Sequence, residues 1–493
     1  MSEERLFYRF GPLERRGLLG SIRVGQAAIV LASVVGAVAL LDQLPNAGGV
    51  VVGMLLVGAG AIGATVPFAG RTAEQWAPVA GSYLLRLAFG LHRHRSALPG
   101  IGTLAQTGRL ATEARHLPKG LSGIDLVQVT DRDRTIGAIS ELNGRRLTAV
   151  LACRAIAFAL LDADAQERRL AHWGVVLTST ADTSIRRLQW IERTGPSQGD
   201  ELARWLHDGR DPAIPPRGTP IVESYLELIG ASTKVTHDHE VLLAIQVDAA
   251  QLRGRRRDSL GAALVQQTER VAGGLEMAEV RVLGALGPRQ LARVLRTAFD
   301  PYARAELSAL EAVDERRDGI ATHSAGPIST QETWDSFRCD GALHATYWIA
   351  GWPRIDVSPM FMDAILGSST IVRSVAVTFE PVTPDRSARE VEAAITRDRA
   401  DSELRRRFGQ SETARQRQAH EAAIRREGEL AAGHGEVRLS GFVTVSGRDE
   451  HDLELACSEV LQHAARARLE LHRMYGQQAD AFNFTLPLAR GLR

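Results

Sequence analysis

The sequence is poor in cysteine and in lysine. Among 493 residues there are three cysteines, Cys153, Cys339 and Cys457, which lie far apart. An odd number of widely spaced cysteines excludes a disulfide framework and a paired CxxC metal site, and it is typical of a reducing compartment. Only Lys119 and Lys234 among the 59 basic residues are lysines. Neither follows a G-x-x-x-x-G, so the sequence excludes a P-loop ATPase.

Other catalytic and ligand-binding signatures are also missing. There is no H-E-x-x-H and no G-x-S-x-G motif, and the pairs His92/His94 and His237/His239 have no cysteine nearby. We therefore expect no catalytic residues, no cofactor and no metal. The basic run Arg253-Gly-Arg-Arg-Arg257 lacks interleaved aromatics, which favours a solvated loop over a phosphate contact. A net charge of +1 makes any role of nucleic acid indirect at most.

Charge is absent from two long runs near the N-terminus. Residues 24–41 and 43–70 contain no charged side chain, and the apolar core of the second run is 48–68. As helices, 24–41 and 48–68 reach roughly 27 and 31 Å, enough to cross a hydrocarbon layer of about 30 Å. Pro45 and Asn46 are turn residues, so residues 24–68 predict a transmembrane helical hairpin. A removed signal peptide and a pair of buried core helices are the alternatives.

Small residues recur along both predicted spans at a spacing that lets helices pack closely. The predicted helix-packing residues are Ala32, Gly36, Gly49, Gly53, Gly60 and Ala64. Residues 58–63 also match G-x-G-x-x-G, but no amphipathic helix or second strand follows, as a dinucleotide fold requires. We therefore interpret these glycines as packing positions.

The distribution of arginine predicts the orientation of the hairpin. Arginines precede the first span and follow the second, while the connecting loop has no Lys or Arg. The positive-inside rule then places both termini in the cytoplasm, in a multi-pass protein of the cytoplasmic membrane. Thr72 and Gln75 form a candidate capping box for a juxtamembrane helix over 71–95. The side chains expected near lipid headgroups are Arg15, Arg16, Arg23, Arg71, Trp76 and Arg86.

The remainder of the chain alternates β-branched runs with helical patterns. The elements predicted there include a hairpin turn at Asn143-Gly144, a helical insert over 199–229, a helix over 449–475 and a short strand over 482–486. The predicted fold class is α+β, membrane-anchored: the hairpin, then a cytoplasmic α/β region of two ferredoxin-like (split βαβ) units with helical inserts. The expected divisions are a basic tail 1–23, the hairpin 24–68, a juxtamembrane helix and linker 69–123, a first unit 124–330 and a second unit 331–493. The second unit carries a charged helical arm over 387–431, interpreted as a solvated helical hairpin or as an arm that grips a partner.

Several stretches resemble a known family in their order along the chain. Pro67-Phe-Ala-Gly-Arg-Thr-Ala-Glu-Gln-Trp76-Ala-Pro resembles the PrgI-like membrane component of conjugative type IV secretion systems in its actinobacterial form. The soluble part resembles the region before the motor domain of TraC-like conjugation ATPases. The stretches that carry this second likeness are Phe158–Glu167 with Trp173, Trp352–Arg354, Glu429–Gly435, Gly441–Ser446 and Leu486–Gly491.

This resemblance implies a non-enzymatic inner-membrane assembly component of a type IV secretion system. The motor domain that follows in TraC-like ATPases has no counterpart here. The implied partners are the lipid bilayer, a separate hexameric P-loop ATPase and other copies of the chain. Two alternatives stay open: a type VII secretion membrane subunit, which also has two spans before a cytoplasmic domain, and a membrane-anchored enzyme acting on a lipid-linked substrate.

Overall fold

The structure is a computed structural model of the full chain. It describes residues 24–66, 70–96, 117–154, 158–181, 183–196, 220, 224, 237–252, 259–304, 306–308, 318–367, 371–407, 414–431 and 435–492. The chain divides into two compact units. One holds the N-terminal helices and most of the charged arm, and the other holds the β-sheet.

The elements follow one another from N-terminal helices to a mixed α+β region. The helices are α1 (Val24–Gln43), α2 (Ala47–Thr65), α3 (Ala73–Ala88), α4 (Ala163–Thr178), α5 (Ser259–Met277), α6 (Pro288–Phe299), α7 (Asp363–Leu366), α8 (Pro384–Arg407), α9 (Ala414–Ala431), α10 (Glu450–Arg466) and α11 (Gln478–Phe482). The strands are β1 (Arg93–Arg95), β2 (Asp125–Asp131), β3 (Arg134–Glu141), β4 (Arg146–Arg154), β5 (Ile185–Pro196), β6 (His237–Asp248), β7 (Arg281–Ala285), β8 (Ser329–Glu332), β9 (Phe337–Cys339), β10 (Ala342–Gly351), β11 (Val372–Val382), β12 (Glu436–Gly447) and β13 (Glu470–Arg473).

The thirteen described strands form one antiparallel sheet. Its order is β1-β8-β9-β10-β12-β11-β5-β6-β4-β3-β2, with β13 also paired to β10 and β7 to β4. The expectation of two apolar N-terminal helices followed by a mixed α+β region with a large sheet is thus confirmed.

Two halves of the sheet repeat one element order and one strand order. Each runs β-α-β-β-α-β: β4-α4-β5-β6-α5-β7, then β10-α7-β11-β12-α10-β13. In each, the fourth strand pairs with the first, the first with the third, and the third with the second. The second strands, β5 and β11, pair with each other, Ile191 opposite Ala376. Residues 199–229, the predicted helical insert of the first half, lie almost entirely outside the described residues.

The last described residues tie the two halves together. The Gln189 side chain on β5 donates to the carbonyl of Phe484 and accepts from the Ala489 N–H, each at 2.7 Å. On β11, the Thr378 hydroxyl donates to the carbonyl of Arg490 at 2.8 Å. Buried amides and hydroxyls need hydrogen-bond partners. The backbone of residues 484–490 supplies those partners to Gln189 and Thr378, which explains why polar side chains occur at these positions of the sheet.

Helices cover the sheet and build its hydrophobic cores. The α4 and α5 residues Val176 and Leu264 pack in a cluster with β4 and β6, while Val460 of α10 packs against the second half. A third cluster joins Leu291 of α6 with Phe482 of α11. Side chains alternate between the two faces of a strand, so a sheet packed on both faces needs apolar residues throughout.

Several predicted boundaries are wrong in an informative way. The juxtamembrane helix, expected over 71–95, ends at Ala88, and the chain then forms strand β1. The helix expected over 449–475 ends at Arg466, because Arg468 adopts a left-handed φ of 57° and the chain turns into β13. The strand expected over 482–486 is the end of α11 and a 3-10 turn. Strands β2, β8 and β9 were not predicted.

Candidate functional site

The N-terminal hairpin is the first candidate functional element. Gly25–Gln43 and Ala47–Thr65 are long and apolar enough to cross a membrane, and only 11% and 17% of their residues are buried. Large apolar side chains point outward: Met54 is 71% exposed and Leu31 is 65% exposed. Core helices of soluble proteins bury such side chains, and large exposed apolar surfaces mark membrane or partner contact. The two helices are therefore candidate membrane spans.

Polar contacts hold the ends of the hairpin. Asn46, the predicted turn residue, caps α2 by accepting from the Gly49 N–H at 2.8 Å. The Gln26 side-chain amide on α1 donates to the Ala64 carbonyl on α2 at 2.8 Å. A helix leaves its last carbonyls unpaired, and in lipid such groups need a protein partner. Gln26 thus gives one carbonyl at the end of α2 a partner from the neighbouring helix.

Small residues lie on the faces of the two helices that contact each other. A Cβ on Gly60 would lie 2.4 Å from the hydroxyl oxygen of Ser33, and one on Gly36 would lie 3.2 Å from a methyl of Leu56. A side chain at position 60 would overlap Ser33 and force the helices apart, whereas one at position 36 would require only a small shift of the Leu56 side chain. G-x-G-x-x-G at 58–63 lies inside the continuous helix α2, so these residues do not form the strand-to-helix loop of a dinucleotide site.

The predicted packing residues fall into three groups. Gly36, Gly53 and Gly60 face α1 or α2 side chains across the hairpin, and Ala64 is buried beside Gln26. Gly49 packs on the backbone of the connecting turn, since its Cβ would lie 2.1 Å from the Leu44 carbonyl oxygen. Ala32 is exposed. The contacts that sequence reasoning missed come from Gln26, Ser33 and Ala37. Gln26 could have been found as the polar side chain near the start of the uncharged run.

The predicted headgroup residues divide between described and undescribed segments. Arg15, Arg16 and Arg23 lie outside the described residues. The Arg71 guanidinium lies 5.4 Å from the centroid of the Trp76 ring, a cation–π distance, and burial lowers the pKa of Arg71. Arg86 lies in the last turn of α3, where a cation complements the helix dipole. The structure thus brings Arg71 and Trp76 together at the start of α3.

A second polar cluster lies where β5 meets its neighbours. The Glu192 carboxylate is 2.7 Å from the His239 ring and 3.7 Å from the Arg373 guanidinium. Next along β5, on the opposite face, Arg193 lies 3.2 Å from Glu240 and donates to the Val294 carbonyl at 3.0 Å. Burial lowers the pKa of the arginine on each face. These contacts compensate the buried charges and connect β5 to β6, β11 and α6.

The remaining residues considered from the sequence form no metal cluster in the described part of the chain. No group of three or more His, Cys, Asp or Glu side chains able to hold a metal occurs among the described residues. His239 contacts Glu192 and Thr194 instead. The three cysteines are buried thiols. The basic run at 253–257 lies outside the described residues.

A family model matches part of the chain. Residues 241–349 match the model of the family described as "EccE: Putative type VII ESX secretion system translocon, EccE". These 109 residues, about a fifth of the chain, run from β6 to β10 and therefore cross from the first half of the sheet into the second. No curated protein matches the chain.

This match overturns the expected membership of the conjugative type IV secretion family. None of the stretches that carried that resemblance lies within 241–349. Several are packing elements: a Cβ on Gly441 would lie 3.0 Å from the Trp352 ring, and Leu486 and Leu488 are fully buried. A packing pattern recurs in proteins of unrelated function. The type IV and conjugation assignments are therefore wrong, and the match supports the alternative given second place, a type VII secretion membrane subunit.

Proposed function

We propose that this chain is a non-enzymatic membrane component of a type VII (ESX) secretion apparatus. The observation that carries the proposal is the match of residues 241–349 to the EccE translocon family. The two candidate spans agree with it, since a translocon component works at a membrane. The large sheet region is then the part available for assembly.

The proposed location is the cytoplasmic membrane, with both termini and the sheet region in the cytoplasm. Arginines flank the hairpin on both outer sides, while the connecting loop between α1 and α2 carries none. Because Lys and Arg are retained on the cytoplasmic side of short loops, this asymmetry supports that orientation.

The sheet region is proposed to be an internal duplication of two ferredoxin-like units. Shared element order, shared strand order and inserts at the same point support it. The proposed units are 124–330 and 331–493, after a tail 1–23, the hairpin 24–68 and a juxtamembrane segment 69–123. Pairing of β5 with β11 would then make one sheet from both copies.

The proposed partners are the lipid bilayer, further copies of the chain and other membrane components of the secretion apparatus. The proposal also includes a separate P-loop ATPase of that apparatus. Moving a substrate across the membrane requires ATP hydrolysis or another energy source, and this sequence contains no P-loop. The alternative of an enzyme acting on a lipid-linked substrate called for a cavity near the bilayer with convergent acids or histidines. The two cavities described in the sheet region have no carboxylate in their lining, and a single histidine, His94, lines one of them, so neither supports that alternative.

Co-purification tests the proposal. The full-length tagged chain is purified in mild detergent from membranes of its native host, and its partners are identified by mass spectrometry. We expect type VII secretion subunits to be enriched over a mock purification from the untagged strain. Recovery of conjugation subunits, or of no secretion subunit, would contradict the proposal. The purified chain alone should not hydrolyse ATP, and ATP turnover that persists through further purification would refute the non-enzymatic role.

A further inference from the structure

An arginine patch covers one edge of the sheet. We define the edge patch as Arg93, Arg95 and Arg338. In the register of β1, β8 and β9, Arg93 is opposite Gln331, and Gln331 is opposite Arg338. Residues in one register row lie on the same face, and residues two apart on a strand do so too. All three arginines therefore lie on one face of the sheet edge.

That face is the solvent face. Arg93, Arg95 and Arg338 are exposed, whereas Thr330 and Cys339 in the adjacent row are 7% and 0% exposed. The buried row packs on the core, so the arginine row cannot turn inward without slipping the register of three strands. The fold thus fixes three guanidinium groups outward.

No acidic side chain lines the patch in the described part of the chain. Ser329, Gln331 and the three arginines, with His94 and Thr330, line a concavity of about 340 Å³, and none of these residues is a carboxylate. Within the described ranges, none of the three arginines forms an ion pair. Arg93 and Arg95 lie two residues apart on β1, and Arg338 lies in the same row two strands away, so their like charges repel one another. Among the described residues this positive surface has no acidic partner, and an anionic ligand would stabilise it.

We propose that the edge patch binds the phosphate headgroups of anionic lipids. Guanidinium groups donate in a planar fork that matches phosphate oxygens, and the concavity is of the size of a small-ligand site. β1 is the first strand after the two candidate spans in the sequence, which favours a lipid headgroup over a soluble anion. The proposal rests on the proposed membrane location and adds a lipid class to it.

Native mass spectrometry of the full chain tests this. The chain is purified in detergent, freed of lipid, and offered phosphatidylglycerol or phosphatidylcholine. We compare wild type, a triple variant R93Q/R95Q/R338Q and a charge-matched control R132Q/R270Q/R281Q, whose three arginines are also exposed. An arginine near an anionic surface contributes about fivefold in affinity, so the triple variant should bind phosphatidylglycerol roughly 100-fold more weakly at low salt. The control should bind it like the wild type.

Two results would overturn the inference. One is equal retention of phosphatidylglycerol by wild type and the triple variant; the other is an equal loss in the control, which would reflect net charge alone. A duplex oligonucleotide is the competing probe: loss of its binding in the triple variant with unchanged lipid retention would assign the patch to nucleic acid and refute the proposal. Failure of the membrane location itself is distinguishable, because all three proteins would then be recovered without detergent.

Discussion

His344 on β10 is a buried histidine that should make the fold sensitive to mild acid. Its side chain is 0% exposed, and its ring lies 4.8 Å from the ring of Phe482. Nε2 lies 2.9 Å from the carbonyl oxygen of Phe299, and Nδ1 lies 2.8 Å from the Ser446 hydroxyl. A carbonyl can only accept, so Nε2 carries a proton. Burial disfavours the charged ring, so at neutral pH Nδ1 is unprotonated and accepts from the Ser446 hydroxyl.

Burial lowers the pKa of His344 from 6.5 to about 4, and the hydrogen bond to Phe299 opposes that shift only in part. Above pH 6.5 the ring is neutral in both states and contributes nothing to pH dependence. Between pH 6.5 and about 4, His344 is protonated in the unfolded chain but not in the folded chain. The free energy of unfolding therefore falls as the pH falls through this range. At about 1.4 kcal/mol per pH unit, the loss is about 2 kcal/mol at pH 5 and about 3 kcal/mol near pH 4.

Denaturant unfolding of the detergent-solubilised full chain at about pH 7.5 and pH 5 measures this loss. The difference between the two pH values should be about 2 kcal/mol smaller in His344→Gln than in wild type. His451→Gln, at an exposed position on α10, should behave like wild type. An identical pH dependence in wild type and His344→Gln would refute the reasoning. If that variant does not fold, an NMR titration showing His344 with an ordinary pKa near 6.5 would refute it equally.

Two further predictions use matched glycines. Gly60→Leu should weaken α1–α2 packing by roughly 1–3 kcal/mol, because the new side chain would overlap Ser33. The control Gly58→Leu should be tolerated, since no atom lies within 4 Å of a Cβ at that position. Protease sensitivity in detergent measures both variants, and equal sensitivity would contradict the hairpin geometry. Gly137→Ala should destabilise the sheet by roughly 1–3 kcal/mol, because its Cβ would lie 2.5 Å from the backbone between β7 and α6. Gly174→Ala in α4 has open space and should stabilise by up to about 1 kcal/mol; thermal unfolding compares the two, and a stable Gly137→Ala protein would count against this packing.

The elements that the sequence predicted best are those set by local patterns. Two uncharged runs become α1 and α2 because length and apolarity alone define such helices. The Asn143-Gly144 turn between β3 and β4 was recognisable, since both residues adopt the positive φ that this dipeptide favours. In the juxtamembrane segment, the Thr72 N–H donates to Gln75 at 3.1 Å, one half of the predicted capping box.

What the sequence could not predict depends on distant contacts. The pairing of β5 with β11 joins residues such as Glu192 and Val375, and no local pattern encodes which edge strands meet. β13 has four residues and continues a helical pattern, so only the left-handed residue Arg468 and its pairing with β10 reveal it. Phe482 begins an alternation of apolar residues that is typical of a strand. In the structure it is the last residue of helix α11, and its ring packs in the core between Phe299 and Phe337. Such positions are decided by tertiary packing rather than by propensity.

Membrane integration through residues 24–65 is the property on which the proposed secretion role and the lipid patch both depend. Alkaline carbonate extraction of membranes from cells that express the full chain measures it directly, with a peripheral membrane protein as the control that is released. Two exposed apolar helices predict that the chain stays in the membrane pellet and dissolves only when detergent is added. Recovery of the chain in the carbonate supernatant, or as a freely soluble protein without detergent, would contradict the membrane assignment.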